Sequence, residues 1–165
     1  MTAASSRAVE LASAFEGAVE DFATFLETLS PEQWRTVVPG EERTVAALAR
    51  GWGFGYEMIA FTAFAAGLAF TTVPRAELNA LNAANGAEYA ECPKDDTIAF
   101  LRTEAATASE AVRKFTSGAL SRTGLYVEGM PEMTVERLIE RVLIGHVVNH
   151  QRGIREALGL APANG

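Results

Sequence analysis

The sequence predicts an all-α protein: an up-down-down-up-type four-helix bundle with a crossover helix between the second and third long helices. Three observations carry this. Four segments repeat apolar residues every three to four positions, the helical period. No stretch alternates with period two for long enough to form a strand. Clusters of Pro, Gly and Ser punctuate the chain between the segments. A length of 165 residues suits one domain, spanning 1–165, with a full-sized core.

The first helix is expected from about Ser6 to Thr28, with Leu11, Phe15, Ala18, Phe22, Phe25 and Leu26 on its apolar stripe. Ser30-Pro31-Glu32-Gln33-Trp34 then opens a helical turn: Ser as N-cap, Pro at the first position, Gln three residues after the cap. Pro39-Gly40 breaks the chain. Thr44 caps the second helix, expected to continue to about Phe70, with Val45, Leu48, Trp52, Ile59, Ala63 and Phe70 facing inward. Inside it lies Gly51-Trp52-Gly53-Phe54-Gly55. Each glycine costs a helix about 1 kcal/mol relative to Ala. No strand precedes this run and no Lys-Ser/Thr follows, so it is not a phosphate loop. Two explanations stay open: close helix packing on the Gly51/Gly55 side, or a cavity that needs room beside Trp52, Phe54 and Tyr56.

Arg75 to about Tyr89, polar and Asn-rich, reads as a surface crossover helix. Asp95 or Asp96 caps the third long helix, which runs to about Thr116 with Ile98, Leu101, Ala105, Ala108, Val112 and Phe115 inward. Ser117 to Met133 is a long connection carrying Tyr126 and Glu128, and connections of this length often border a site. Thr134 caps the fourth helix, which ends near Leu158.

Composition excludes some functions. The formal charge is −7 and the isoelectric point about 4.9, with no dense Lys/Arg cluster. No basic stripe is present to neutralise phosphates, which argues against nucleic acid and against a basic membrane-surface role. The uncharged run Met58–Pro74 is short for a membrane span and rich in Ala and Thr, so it reads as a buried helix. The N-terminus lacks the apolar core of a signal peptide. The lone Cys92 has acidic neighbours and forms no internal disulfide, which fits a cytoplasmic spectator.

The only histidines, His146 and His150, stand four residues apart on the fourth helix, one turn above the other. Ile139, Val142, Leu143, Ile154 and Leu158 fit the same stripe. Such a pair either grips one metal ion or forms two hydrogen-bonded core histidines.

The order "ETLSPEQW", a Pro-Gly break, "RTVAALARGWGFGYE", a crossover, a third helix and "IGHVVNHQRGI" resembles the DinB-like (YfiT-like) superfamily of four-helix bundles. That superfamily includes mycothiol- and bacillithiol-dependent S-transferases and a maleylpyruvate isomerase. The resemblance spans nearly the whole chain and implies a divalent metal, Zn or Ni, held by three histidines. His146 and His150 match the pair on the fourth helix. The helix-two histidine should fall near Arg50-Gly51, most closely at Gly51, and neither residue can serve as a ligand. As a substitute third ligand, Glu57 lies six residues past Gly51, about 240° round the helix, and points away unless the glycines distort it. It falls nearly in line with Arg50, so a solvated or locally paired Arg50–Glu57 is expected. Glu128 or Glu132 reaching in from the long connection is the other option.

Three readings follow. The first is a metal-dependent enzyme of thiol S-transferase, isomerase or hydrolase type that uses His146, His150 and a non-histidine ligand. The second is a metal-free relative whose central pocket, lined by Trp52, Gly51, Gly55 and Tyr56, binds or acts on a small molecule, with His146 or His150 as acid or base. The third is a structural bundle that forms a homodimer through its exposed faces.

Overall fold

The computed structural model describes residues 4–51 and 53–163. Trp52, expected on the inner face of the second helix and in the pocket lining, lies outside the described residues. The described residues are all-α apart from four two-residue strands and an isolated bridge between Val73 and Val127. Among the described residues no helix is long and apolar enough to cross a membrane.

Helix α1 (Ser6–Glu27) buries Leu11, Phe15, Val19, Phe22 and Leu26. The Ser30 capping box forms as expected: Gln33 N donates to Ser30 Oγ, and Ser30 N donates to Gln33 Oε1, opening the helical turn α2 (Pro31–Trp34). Strands β1 (Val37–Val38) and β2 (Arg43–Thr44) then pair antiparallel. β2 ends on Thr44, whose hydroxyl caps α3 (Val45–Arg50) by accepting from Ala47 N.

The expected second helix is divided. α3 stops at Arg50, and α4 (Gly55–Ala66) begins after a break. The geometry of the break is glycine's. Gly51 has φ 46° and ψ −161°, and Gly53 has φ 72°, both in regions that L side chains avoid. A Cβ on Gly53 would lie 2.7 Å from Glu104 Oε2 and 3.0 Å from Phe100 Cζ. Close helix packing at Gly51 and Gly55 is not the reason for these glycines: a Cβ on Gly51 would meet ordinary contacts at 3.7 Å, and one on Gly55 would meet open space. The fully buried Asn85 ties the break down, its Nδ2 donating to Gly51 O at 2.9 Å. α4 ends at Ala66, short of Phe70, because Gly67 turns left-handed (φ 71°).

The crossover helix α5 (Arg75–Glu88) has the expected extent. α6 (Lys94–Arg113) starts one residue before Asp95, with Pro93 at the N-cap position. Asp95 and Asp96 therefore occupy the first turn rather than the cap, where their charges still favour the helix N-terminus. α6 packs most extensively against α1. Bidentate Arg113–Glu16 and the pairs of Arg102 with Glu20 and Glu27 strap the two helices in antiparallel order.

The long connection is structured. It holds a helical turn, α7 (Ser117–Leu120), and strand β3 (Thr123–Gly124), which pairs antiparallel with β4 (Met133–Thr134). β4 repeats the device of β2, since Thr134 caps α8 (Val135–Leu138) by accepting from Arg137 N. The fourth helical unit continues through a π-helical segment, Ile139–Ile144, into α9 (Gly145–Ala157).

Gly51→Ala is expected to destabilise the protein by about 1–3 kcal/mol, since the Ala must hold a glycine-only conformation. Gly55→Ala, in open space at the first position of α4, is expected to be neutral or stabilising by less than about 1 kcal/mol. Chemical denaturation of the two variants checks the pair.

Candidate functional site

The break between α3 and α4 leaves a cavity of about 770 Å³. Leu48, Leu78, Leu101, Val127 and Met130 supply apolar wall, and a smaller number of polar groups converge on the same space. Four of these, Arg141, His146, Asn149 and His150, come from the π-helical segment and α9. The segment has a wider turn than an α-helix, and Gly145 N donates to Glu140 O five residues back. This divides the stripe expected on the fourth helix. Ile139, Leu143, Val147 and Ile154 are buried in the core, while Val142, His146, Asn149 and His150 line the cavity.

The imidazoles of His146 and His150 meet edge to face with ring centroids 4.2 Å apart. His146 is open by surface area yet enclosed by protein atoms on most sides, as befits a group on a concave wall. Burial lowers its pKa first, then the Arg43 guanidinium, with Glu41 opposing. His150 sits well below the usual histidine range, through burial, then the neighbouring His146, then Arg43. Both rings are therefore neutral near pH 7 and able to accept a proton or a metal.

Glu57 departs from expectation. With an unbroken helix it would point away, but the break re-aims α4, and Glu57 lines the cavity. It does not pair with Arg50, whose guanidinium stacks over Phe100 at 3.4 Å and Tyr89 at 4.6 Å. The Glu57 Oε2 atom is buried without a hydrogen-bond partner among the described residues. Burial pushes this carboxyl up to about 7, against a smaller opposing pull from its own backbone N–H. Tyr126 lines the same wall and is 4% exposed. Its phenol is raised by burial first, then by the charge of Glu57 and by Tyr56.

Glu128 is elsewhere. It is exposed, and its Oε2 accepts from Arg75 N at the start of α5. Glu132 accepts from Thr123 Oγ1 at the surface. Of the glycines expected in the lining, Gly51 is there, joined by Gly53, while Gly55 is not; Tyr56 lines the cavity and is 38% exposed. The sequence reading missed Arg43, Arg75 and Arg141, which also reach the lining. Arg43 arrives through the β1–β2 pair and is held by Glu41 at 2.6 Å. Only the tertiary fold brings these groups together.

Residues 15–146 match the family described as the mycothiol maleylpyruvate isomerase N-terminal domain. The chain belongs to this family. It is a DinB-like helical domain, as the motifs imply. No curated protein and no solved structure matches the chain. The family resemblance implies a three-histidine metal centre, which the donors present do not fit. By the resemblance the third histidine would fall at Gly51, which has no side chain, and among the described residues no three His, Cys, Asp or Glu side chains are grouped to hold a metal ion.

Titration of these groups links to stability with opposite signs. Glu57 binds its proton more tightly folded than unfolded, so stability falls as pH rises from about 4.5 to 7 and the loss is complete above 7. Glu57→Gln should therefore stabilise the protein at pH 8 by about 2–3 kcal/mol, and the gain should vanish below pH 4.5. The histidines release their protons more readily folded, so they cost stability as pH falls below 6.5. A His146→Gln/His150→Gln variant should lose less stability than the parent between pH 6.5 and 5. Thermal denaturation across pH reads both effects.

Proposed function

We propose that this family member binds, and acts on, a small organic molecule in the central cavity of an up-down-down-up four-helix bundle, without a three-histidine metal centre. The observation that carries this reading is the cavity itself. Its wall is largely apolar, its volume is that of a small-molecule site, and it gathers Glu57, His146, His150 and Tyr126. The family name speaks of a thiol and an unsaturated organic acid. In this reading the apolar wall removes the ligand from water. A neutral imidazole, His146 or His150, accepts a proton from the bound molecule, and the protonated Glu57 carboxyl donates one across the cavity. Neither role requires a third ligand.

A metal-dependent variant remains the second reading, favoured by the contact of the two neutral imidazoles. It takes its third donor from the substrate or from water.

Two measurements separate the readings. The neutral dye N-phenyl-1-naphthylamine should bind with one-to-one stoichiometry, and Leu81→Trp, which fills the cavity from α5, should weaken binding at least about tenfold. Elemental analysis after loading with Zn²⁺ or Ni²⁺ and desalting should find no bound equivalent. One equivalent that disappears in His146→Ala would install the second reading instead. Absence of dye binding would overturn the cavity reading altogether.

A further inference from the structure

The cavity wall carries an excess of positive charge, in a chain whose formal net charge is −7. Four guanidiniums line it, those of Arg43, Arg50, Arg75 and Arg141, against two carboxyls, Glu41 and Glu57. Arg43 is paired with Glu41 at 2.6 Å. Arg50 sits over the rings of Phe100 and Tyr89, a contact that holds the group without neutralising it. The guanidiniums of Arg75 and Arg141 have no ion-pair or hydrogen-bond partner among the described residues, whereas Arg7, Arg102, Arg113 and Arg137 each pair with a glutamate. The acids beside them are turned to other groups. Glu128 accepts from the backbone N–H of Arg75, and Glu140, next to Arg141 in the chain, is held by Arg7 and Arg137. α5 presents Arg75, Leu78 and Asn82 on one face, so its charge stands one turn before its apolar wall. Arg141 reaches the same lining from the π-helical segment, ahead of His146 and His150. Both arginines are exposed, so their head groups stand where the lining meets solvent and are free to turn onto a ligand.

We propose that Arg75 and Arg141 form an anion subsite at the mouth of the cavity, and that the ligand is an organic monocarboxylate with an apolar body. Its carboxylate meets the two guanidiniums, and its body lies against Leu48, Leu78, Leu101 and Met130. A guanidinium is a fixed fork of N–H donors that matches the two oxygens of a carboxylate, and two of them without a counter-charge leave the site short of one anion. A small polar diacid fits less well. Its second carboxylate would find Arg43 already paired and Arg50 engaged by two rings, and the rest of the wall is largely apolar. The two imidazoles, neutral near pH 7, leave the positive charge of the mouth to the arginines. The inference rests on the cavity reading and adds the chemistry of the ligand's charged end.

The test is competition against N-phenyl-1-naphthylamine at pH 7. 4-Phenylbutyrate and its neutral isostere 4-phenylbutanamide are titrated against the dye-loaded protein. The carboxylate is expected to displace the dye at about tenfold lower concentration than the amide, and Arg75→Gln/Arg141→Gln should abolish that preference while dye binding persists. Arg35→Gln/Lys114→Gln, which removes two charges outside the lining, should leave the preference unchanged. Maleate, a diacid without an apolar body, should need at least about tenfold more than 4-phenylbutyrate. Retained dye binding shows that each variant is folded, and the single variants serve if the double loses it, each then weakening the preference. Equal displacement by carboxylate and amide, a preference that survives Arg75→Gln/Arg141→Gln, or one lost equally in Arg35→Gln/Lys114→Gln overturns the anion subsite and leaves the cavity reading standing. Displacement by maleate at the concentration of 4-phenylbutyrate overturns the monocarboxylate class. Failure of the dye to bind the parent protein overturns both the subsite and the cavity reading.

Discussion

The interruption between α3 and α4 is the constraint on which the site depends. An unbroken helix from Thr44 onward would carry Glu57 away from the histidines and fill the space beside them with its own backbone. The chain instead turns through Gly51 and Gly53 in conformations that other residues adopt only under strain. Buried Asn85 fixes the turn through Gly51 O. This coupling has a consequence for the crossover helix. By sequence it is a polar connector, yet it supplies the hydrogen bond that holds the break and the apolar Leu78 and Leu81 of the cavity wall. Among the described residues the Oδ1 of Asn85 has no hydrogen-bond partner, so the hydrogen bond to Gly51 is formed at some cost in desolvation.

Burial acts on the cavity's titratable groups in one physical way with two chemical outcomes. Removing water disfavours charge, so it keeps a proton on Glu57 and takes protons off His146 and His150. Near pH 7 the cavity lining therefore holds a carboxyl within its titration range and two neutral imidazoles, a complement suited to moving a proton on a bound molecule. The surface tells the opposite story. There Glu16 is paired with Arg113 and Glu20 with Arg102, and hydrogen bonds from these guanidinium groups hold both carboxyls below the usual carboxylate range. The net charge of −7 therefore says little about the site.

What was legible in the sequence was local. Ser30, Thr44 and Thr134 cap helices as read, because a cap depends on a few adjacent residues. The extent of α1 and α5 follows from stripe and punctuation alone. The errors came from assuming that helices continue. Glu57 was placed by counting 100° per residue across a break, and the arithmetic fails once the axis is interrupted. The π-helical segment escaped for a related reason: it changes the hydrogen-bond register of Ile139–Ile144 without a compositional mark, and so moves His146 and His150 off the core stripe and onto the cavity wall. Glu128 was judged by its position in a long connection, where a bridge between Val73 and Val127 and the Glu128 N to Val73 O hydrogen bond hold it at the start of α5.

The non-helical backbone at position 51 and the placement of Glu57 in the cavity lining both belong to the break between α3 and α4. A histidine at position 51 needs a Cα in ordinary helical conformation to aim its ring, whereas the chain there has φ 46° and ψ −161°. Restoring the side chain alone would therefore not restore the metal geometry. The break would have to close, and closing it would withdraw Glu57. The two site designs exclude one another through the backbone: a continuous helix with a third imidazole, or an interrupted helix with a buried carboxyl and an open cavity. This chain has the second, with the buried Glu57 carboxyl lining the same cavity as His146 and His150.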